Sequence, residues 1–191
     1  MHEYEGRGRP GSPSEQQARH QEQGWANAPH EDLVRAFRGL IQKGRQDILQ
    51  EGRKTDSLTP AIMIKQELGK QSALHMSPDP LDKQRAAFFW QIEKAWDVIA
   101  YEHYRREGTG QPTYDRVDAG IALSATYGRA KARHEPRPEF LQLDPLQVKI
   151  LDALAEAAGV PHQRGQTEIE IPAHLREYEQ RLRAEGKWRF D

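Results

Sequence analysis

Apolar and polar residues alternate along most of this chain at the spacing of an α-helix. Apolar positions that recur every three or four residues predict amphipathic helices, each with one face toward a core. Prolines, capping residues and glycines mark where these segments begin and end. We predict helices over about residues 31–51, 60–75, 81–107, 114–131, 145–158 and 173–185.

Local residues define several of these ends. Thr59 and Asp144 are good N-caps, and the proline that follows each one suits the first helical position. Gly159 is suited to ending the fifth helix. Residues 167–171 alternate with a period of two, which is typical of a short strand. The pattern therefore indicates a single all-α domain of five or six helices, and it is compatible with a short β element near residues 166–171.

The third predicted helix carries apolar or aromatic residues on two faces. Its core stripe comprises Leu81, Phe88, Phe89, Ile92, Ala95, Trp96, Ile99, Ala100 and His103. The opposite face holds Trp90, Lys94, Asp97, Tyr101 and Tyr104. One interpretation is a central helix that is buried on both sides. The other is an exposed patch that binds a partner protein or stacks on unpaired bases, with Trp90, Lys94, Tyr101 and Tyr104 as its contact residues.

Composition changes along the chain and divides it into three parts. Residues 1–28 are rich in Gly, Pro, Ser and Gln and contain no Leu, Ile, Val or Phe, which predicts a disordered N-terminal arm. The proline-rich segment 134–138 predicts a rigid linker. We therefore expect an arm at 1–28, a helical body at 29–133, and a small C-terminal helical module at 139–191 that is packed on the body or linked to it.

The overall composition excludes several classes of protein. Hydrophobic residues make up 36% of the 191 residues, so the core is modest in size. The chain has no cysteine, which excludes disulfides, thiolate nucleophiles and cysteine-bound zinc or iron–sulfur sites. No apolar run has the length of a membrane span, and no secretory h-region is visible. We expect a cytoplasmic protein of a bacterial cell with no membrane partner.

The charges nearly cancel, with 28 Lys and Arg against 29 Asp and Glu. This balance excludes a histone-like polycation but allows a local basic face. Four arginines lie on one ridge of the first predicted helix, and a second basic stretch spans residues 129–133. Arginine forks suit phosphates, although a solvated helix face explains the ridge as well. The predicted nucleic-acid-binding residues are Arg35, Arg38, Arg45, Arg53, Arg129, Lys131 and Arg133.

A partial DNA-reading motif also occurs in the chain. The segment 154–160 resembles the first helix and turn of a helix-turn-helix, with the small Ala155 and the turn Gly159 in suitable places. A recognition helix should follow, but the position for its branched apolar residue is Gly165. The segment from Pro161 to Gly165 is a poor helix former, so a small wing near residues 167–171 is the alternative.

Catalytic motifs are absent from the sequence. There is no G-x-S-x-G nucleophile motif, and the two Gly-x-Gly pairs do not follow a predicted strand. His103 with Glu107, and His174 with Glu177, have helical spacings that suit metal ligands if the two helices meet. We nevertheless predict no catalytic residue, no metal and no cofactor.

These observations support three functional hypotheses. The first is a non-catalytic accessory protein that contacts nucleic acid or a nucleoprotein assembly through the arginine-rich helix face. The second is a protein–protein adaptor or inhibitor that uses Trp90 and Tyr101. The third is a metal-dependent helical enzyme.

Overall fold

A computed structural model describes residues 24–52, 59–73, 77–107, 139–171 and 173–186. This part of the chain forms five helices and one two-stranded ribbon, which confirms the mainly helical class with a short β element. In chain order the elements are α1 (His30–Gln50), α2 (Pro60–Ser72), α3 (Pro80–Glu107), β1 (Phe140–Gln142), α4 (Pro145–Ala158), β2 (Glu168–Glu170) and α5 (Ala173–Ala184). The helix predicted over 114–131 lies outside the described residues. None of the described helices combines the length and the apolar character needed to cross a bilayer.

The predicted capping residues hold the starts of two helices. The Thr59 hydroxyl accepts a hydrogen bond from the Ile62 backbone N–H at 3.3 Å. At the start of α4, Asp144 and Gln147 each accept a hydrogen bond from the other's backbone N–H, at 2.8 and 2.9 Å. Gly159 ends α4 in the left-handed region, with φ of 69°. Because these groups satisfy the backbone ends, α4 has the bounds that the sequence predicts.

The ribbon joins the two ends of the segment that contains α4. β1 and β2 pair antiparallel, with Leu141 opposite Ile169. Both of these side chains are 3% exposed and face the core, while their strand neighbours are exposed. The sequence predicts β2 but not β1, although Leu141 and Leu143 flank the exposed Gln142 with the same period of two.

The larger of two apolar clusters in the described residues lies around α3. Its residues Ile92 and Trp96 are fully buried, and the Trp96 indole N–H donates to the Ala61 carbonyl at 3.1 Å. The ribbon and α4 contribute to this cluster together with α1, α2 and α3. Other buried members of the cluster include Ile41, Ile62, Ile64, Leu68, Phe89, Leu141, Ile150, Leu151 and Ile169.

Helix α1 packs against both α4 and α2. Leu33 and Val34 form a small apolar cluster with Ala153 of α4. Farther along α1, a Cβ at Gly44 would lie 2.3 Å from the Met63 terminal methyl. Glycine at this position therefore lets the methionine of α2 approach the α1 backbone closely.

Residues 24–28 do not belong to a disordered arm. Residues 24–27 form a helical turn, and Trp25 packs against the core. Its ring meets the Phe89 ring edge-on, with centroids 5.6 Å apart. The sequence places the start of the helical body at residue 29. Burial of the Trp25 ring explains why the folded structure begins before that residue. The rest of the predicted arm lies outside the described residues.

Both sides of the middle of α3 are buried. Lys94 is 3% exposed and Asp97 is 1% exposed, although they lie opposite the apolar stripe. This confirms the interpretation of a central helix over residues 92–97. It also corrects the placement of Lys94, which lies in the interior and not on an exposed patch.

Candidate functional site

The arginine ridge of α1 is an exposed surface. Arg35, Arg38 and Arg45 are exposed and separated by three and seven residues, so they lie on one side of the helix. The Arg35 side chain is 79% exposed, and its guanidinium lies 3.3 Å from the Asp32 carboxylate. Such an exposed ion pair contributes little free energy, so Arg35 can exchange Asp32 for another anion. Arg53, Arg129, Lys131 and Arg133 lie outside the described residues.

Glu156 of α4 connects this ridge to the loop that follows α4. His30 Nε2 lies 2.5 Å from Glu156 Oε2. This hydrogen bond is the main cause that lowers the pKa of Glu156, and the charges of Arg164 and Arg38 lower it further. Arg38 and Arg164 thus act on the same carboxylate from two different elements. Arg164 is not among the predicted contact residues, because nothing in its local sequence indicates that it lies near Glu156.

A cavity of about 280 Å³ lies next to Glu156. Its polar lining includes Asp152, His162 and Arg164. Asp152 Oδ1 lies 3.2 Å from His162 Nε2, and the two side chains are only 8% and 4% exposed. The other oxygen of Asp152 accepts a hydrogen bond from the Gly165 backbone N–H at 2.9 Å. The carboxylate of Asp152 therefore links α4 to the loop of residues 160–166.

Burial of His162 predicts a dependence of stability on pH. Burial lowers the pKa of His162 below 6.5, and the attraction of Asp152 opposes this shift only in part. At a pH between 6.5 and the lower pKa of the folded state, His162 therefore binds more protons in the unfolded chain than in the folded chain. We expect the free energy of unfolding to be highest above pH 6.5 and to fall as the pH drops through this window. For one proton the slope is at most about 1.36 kcal/mol per pH unit.

Urea denaturation from pH 8 to pH 5 measures this slope. His162→Gln should flatten it, because glutamine does not titrate. Asp152→Asn keeps an oxygen that can accept from the Gly165 N–H but removes the negative charge that attracts protonated His162. The pKa of His162 in the folded state should then fall further, so the loss of stability should continue to a lower pH. The other charged residues that line the cavity, Glu156 and Arg164, are unchanged in both variants. An equal slope in the parent and in His162→Gln would show that His162 does not cause the dependence.

The resemblance to a helix-turn-helix does not extend past its turn. After Gly159, the described chain has no helix until Ala173. Pro161 lacks a backbone donor, and Gly165 has φ of 79°, so this stretch favours a turn over a recognition helix. The alternating residues that follow form β2, which pairs with β1.

The aromatic face of α3 is only partly an open surface. Trp90 is half-buried, Lys94 is interior, and the side chains of Tyr101 and Tyr104 lie outside the described residues. Glu93 and Asp97 flank Lys94 along α3, and the Lys65 ammonium of α2 lies 2.5 Å from Asp97 and 3.2 Å from Glu93. This part of α3 therefore holds charged groups that pair between helices, and a role of Trp90 in binding a partner stays a prediction.

Metal ligation finds no support in the described part of the chain. Its residues contain no cluster of three or more His, Asp or Glu side chains that could hold an ion. The side chains of His103, Glu107 and His174 lie outside it, and Glu177 is exposed on α5.

Comparisons of the whole chain with known protein families, with curated proteins and with solved structures found no match. No activity or partner is therefore transferred from another protein.

Proposed function

We propose that this protein is a non-catalytic, cytoplasmic accessory protein that contacts nucleic acid or a nucleoprotein assembly through the arginine ridge of α1. The observation that carries the proposal is the exposure of Arg35, Arg38 and Arg45 on one side of α1. Arg164 lines the cavity next to Glu156, and both Arg164 and Arg38 lower the pKa of that carboxyl group, so we infer that the ridge continues to Arg164 as one cationic strip.

Phosphate groups are the ligands that best match this strip. Guanidinium groups donate paired hydrogen bonds to phosphate oxygens, and each contact releases condensed counterions from the nucleic acid. Asp32 and Glu156 lie within the strip and compete with phosphate for the arginines. Because the chain as a whole is nearly neutral, we expect a local contact that is sensitive to salt.

Binding to duplex and to single-stranded DNA at a series of salt concentrations tests this proposal. On duplex DNA, the logarithm of the binding constant should fall with the logarithm of the salt concentration by about 0.9 per contacted phosphate. The triple variant Arg35→Ala, Arg38→Ala, Arg45→Ala should therefore reduce this slope by roughly 2.7 if each arginine contacts one phosphate. Arg164→Ala alone should reduce it by about 0.9.

A second triple variant serves as a matched control. Lys43, Lys70 and Lys83 are exposed, and their replacement by alanine removes the same total charge. Lys43 lies about 140° around α1 from Arg38, and the other two are on α2 and α3. The control should retain the slope of the parent. Equal reductions in both triple variants would contradict a specific role of the ridge, and an absence of binding at low salt would overturn the proposal.

A further inference from the structure

Helices α1, α2, α3 and α4 meet around a second concave site, an open groove of about 240 Å³. Its lining is mainly apolar and includes three aromatic rings. The rings belong to Trp25, Phe37 and Phe89, and the aliphatic lining includes Leu40 and Ala36 of α1. Ligand sites in helical proteins commonly lie between helices, with an apolar wall and a few polar groups that fix the orientation. The volume of this groove suits a small molecule.

The polar groups of the groove are Glu67, Gln71 and Arg85. Arg85 of α3 has a defined position, because its Nε–H donates to the Gln71 side-chain oxygen at 3.1 Å. Its guanidinium carbon also lies 5.8 Å from the centroid of the Phe89 ring, which is a cation–π distance. These two contacts orient the guanidinium and use only one of its N–H donors. The terminal nitrogens are the groups that can bind a ligand anion.

The neighbouring acid does not neutralise Arg85. Glu67 lies one turn before Gln71 on α2, and its carboxylate lies 3.3 Å from the Lys70 ammonium. The charged residues that line the groove are Arg85 and Glu67, and the Glu67 carboxylate is already paired with Lys70, which lies outside the lining. A ligand with an apolar body and one negative group is complementary to the groove in both shape and charge.

We propose that the groove binds a small carboxylate with an apolar body, such as a medium-chain or arylalkyl carboxylate. The apolar body lies against Phe37, Leu40 and Phe89, and the carboxylate accepts hydrogen bonds from the terminal nitrogens of Arg85. Phe37 and Leu40 lie about 100° and 160° around α1 from Arg38. The groove is therefore separate from the arginine ridge, and its occupancy does not depend on the binding of nucleic acid.

Isothermal titration calorimetry of the full chain with octanoate, and with the neutral octanol as a comparison, tests the assignment. Octanoate should bind with one site per chain and more tightly than octanol. Arg85→Gln removes the charge-assisted hydrogen bonds, so it should weaken octanoate binding by about tenfold or more and leave octanol binding unchanged. The control Lys83→Gln, an exposed cation two residues earlier in α3, should bind both probes as the parent does.

A blocking variant tests the location without relying on Arg85. Ala36 lines the groove but is itself exposed, so Ala36→Trp can place an indole in the groove with little effect on folding. This variant should lose the binding of both probes while retaining the thermal unfolding midpoint of the parent. Failure of octanoate to bind the parent would overturn the proposal. Equal affinity for octanoate and octanol, or full binding by Ala36→Trp, would overturn it as well.

Discussion

Lys65→Met is expected to lower the free energy of unfolding by about 3–5 kcal/mol. The Lys65 ammonium lies between two carboxylates of α3, at 2.5 Å from Asp97 and 3.2 Å from Glu93. Asp97 is almost fully buried, so water does not replace the lost ammonium. Methionine fills a similar volume but leaves two negative charges on successive turns of α3 without this counter-ion.

The measurement is urea denaturation followed by circular dichroism, and Lys70→Met is the matched control. Lys70 lies on the same helix and pairs with Glu67, but its side chain is 72% exposed. Loss of such an exposed pair costs less than about 1 kcal/mol. Adding Glu93→Gln and Asp97→Asn to Lys65→Met should recover part of the lost stability, because it removes the unbalanced charges. A cost for Lys65→Met no larger than that for Lys70→Met would show that the buried pair does not stabilise the fold.

Trp96→Ala is expected to cost about 3–5 kcal/mol as well, for a different reason. The indole is fully buried at the centre of the core, so alanine leaves a cavity that its rigid neighbours cannot fill. The substitution also removes the hydrogen bond from the indole N–H to the Ala61 carbonyl.

Thermal and urea denaturation of Trp96→Ala and Trp96→Phe measure these two contributions. Trp96→Phe retains most of the apolar contact and should cost clearly less than Trp96→Ala. It also keeps the prediction testable if the alanine variant does not fold. A loss below about 1 kcal/mol for Trp96→Ala is typical of an exposed site, and it would contradict the central position of this residue.

The helix ends could be predicted because the groups that define them are close in sequence. Asp144, Gln147 and Gly159 cap α4 through contacts within three or four residues, so its bounds follow from local chemistry. Local chemistry could not decide in the same way between a buried and an exposed position for Lys94 and Asp97. Their burial depends on the packing of α3 against α2, whose Lys65 lies 32 residues from Asp97.

The candidate sites also depend on contacts that are distant in sequence. The ridge of Arg35, Arg38 and Arg45 follows from helical periodicity alone. Its extension to Arg164 does not, because His30 and Glu156 meet across 126 residues of sequence. The groove likewise needs four helices and Trp25, which composition assigns to the arm. The sequence therefore predicts single faces of helices, and only their packing shows which faces meet.

The pairing of β1 with β2 has a consequence for local opening of the structure. These strands flank α4, and their hydrogen bonds close the segment of residues 139–171 on itself. Leu141 and Ile169 share the core with Leu151 of α4, so the strands cannot separate without exposing the helix. Such a closed segment is a candidate for one cooperative unit, whose amide hydrogens exchange with solvent together. Because the loop that contains His162 belongs to this segment, we expect its opening to be linked to the exchange of the α4 amide hydrogens.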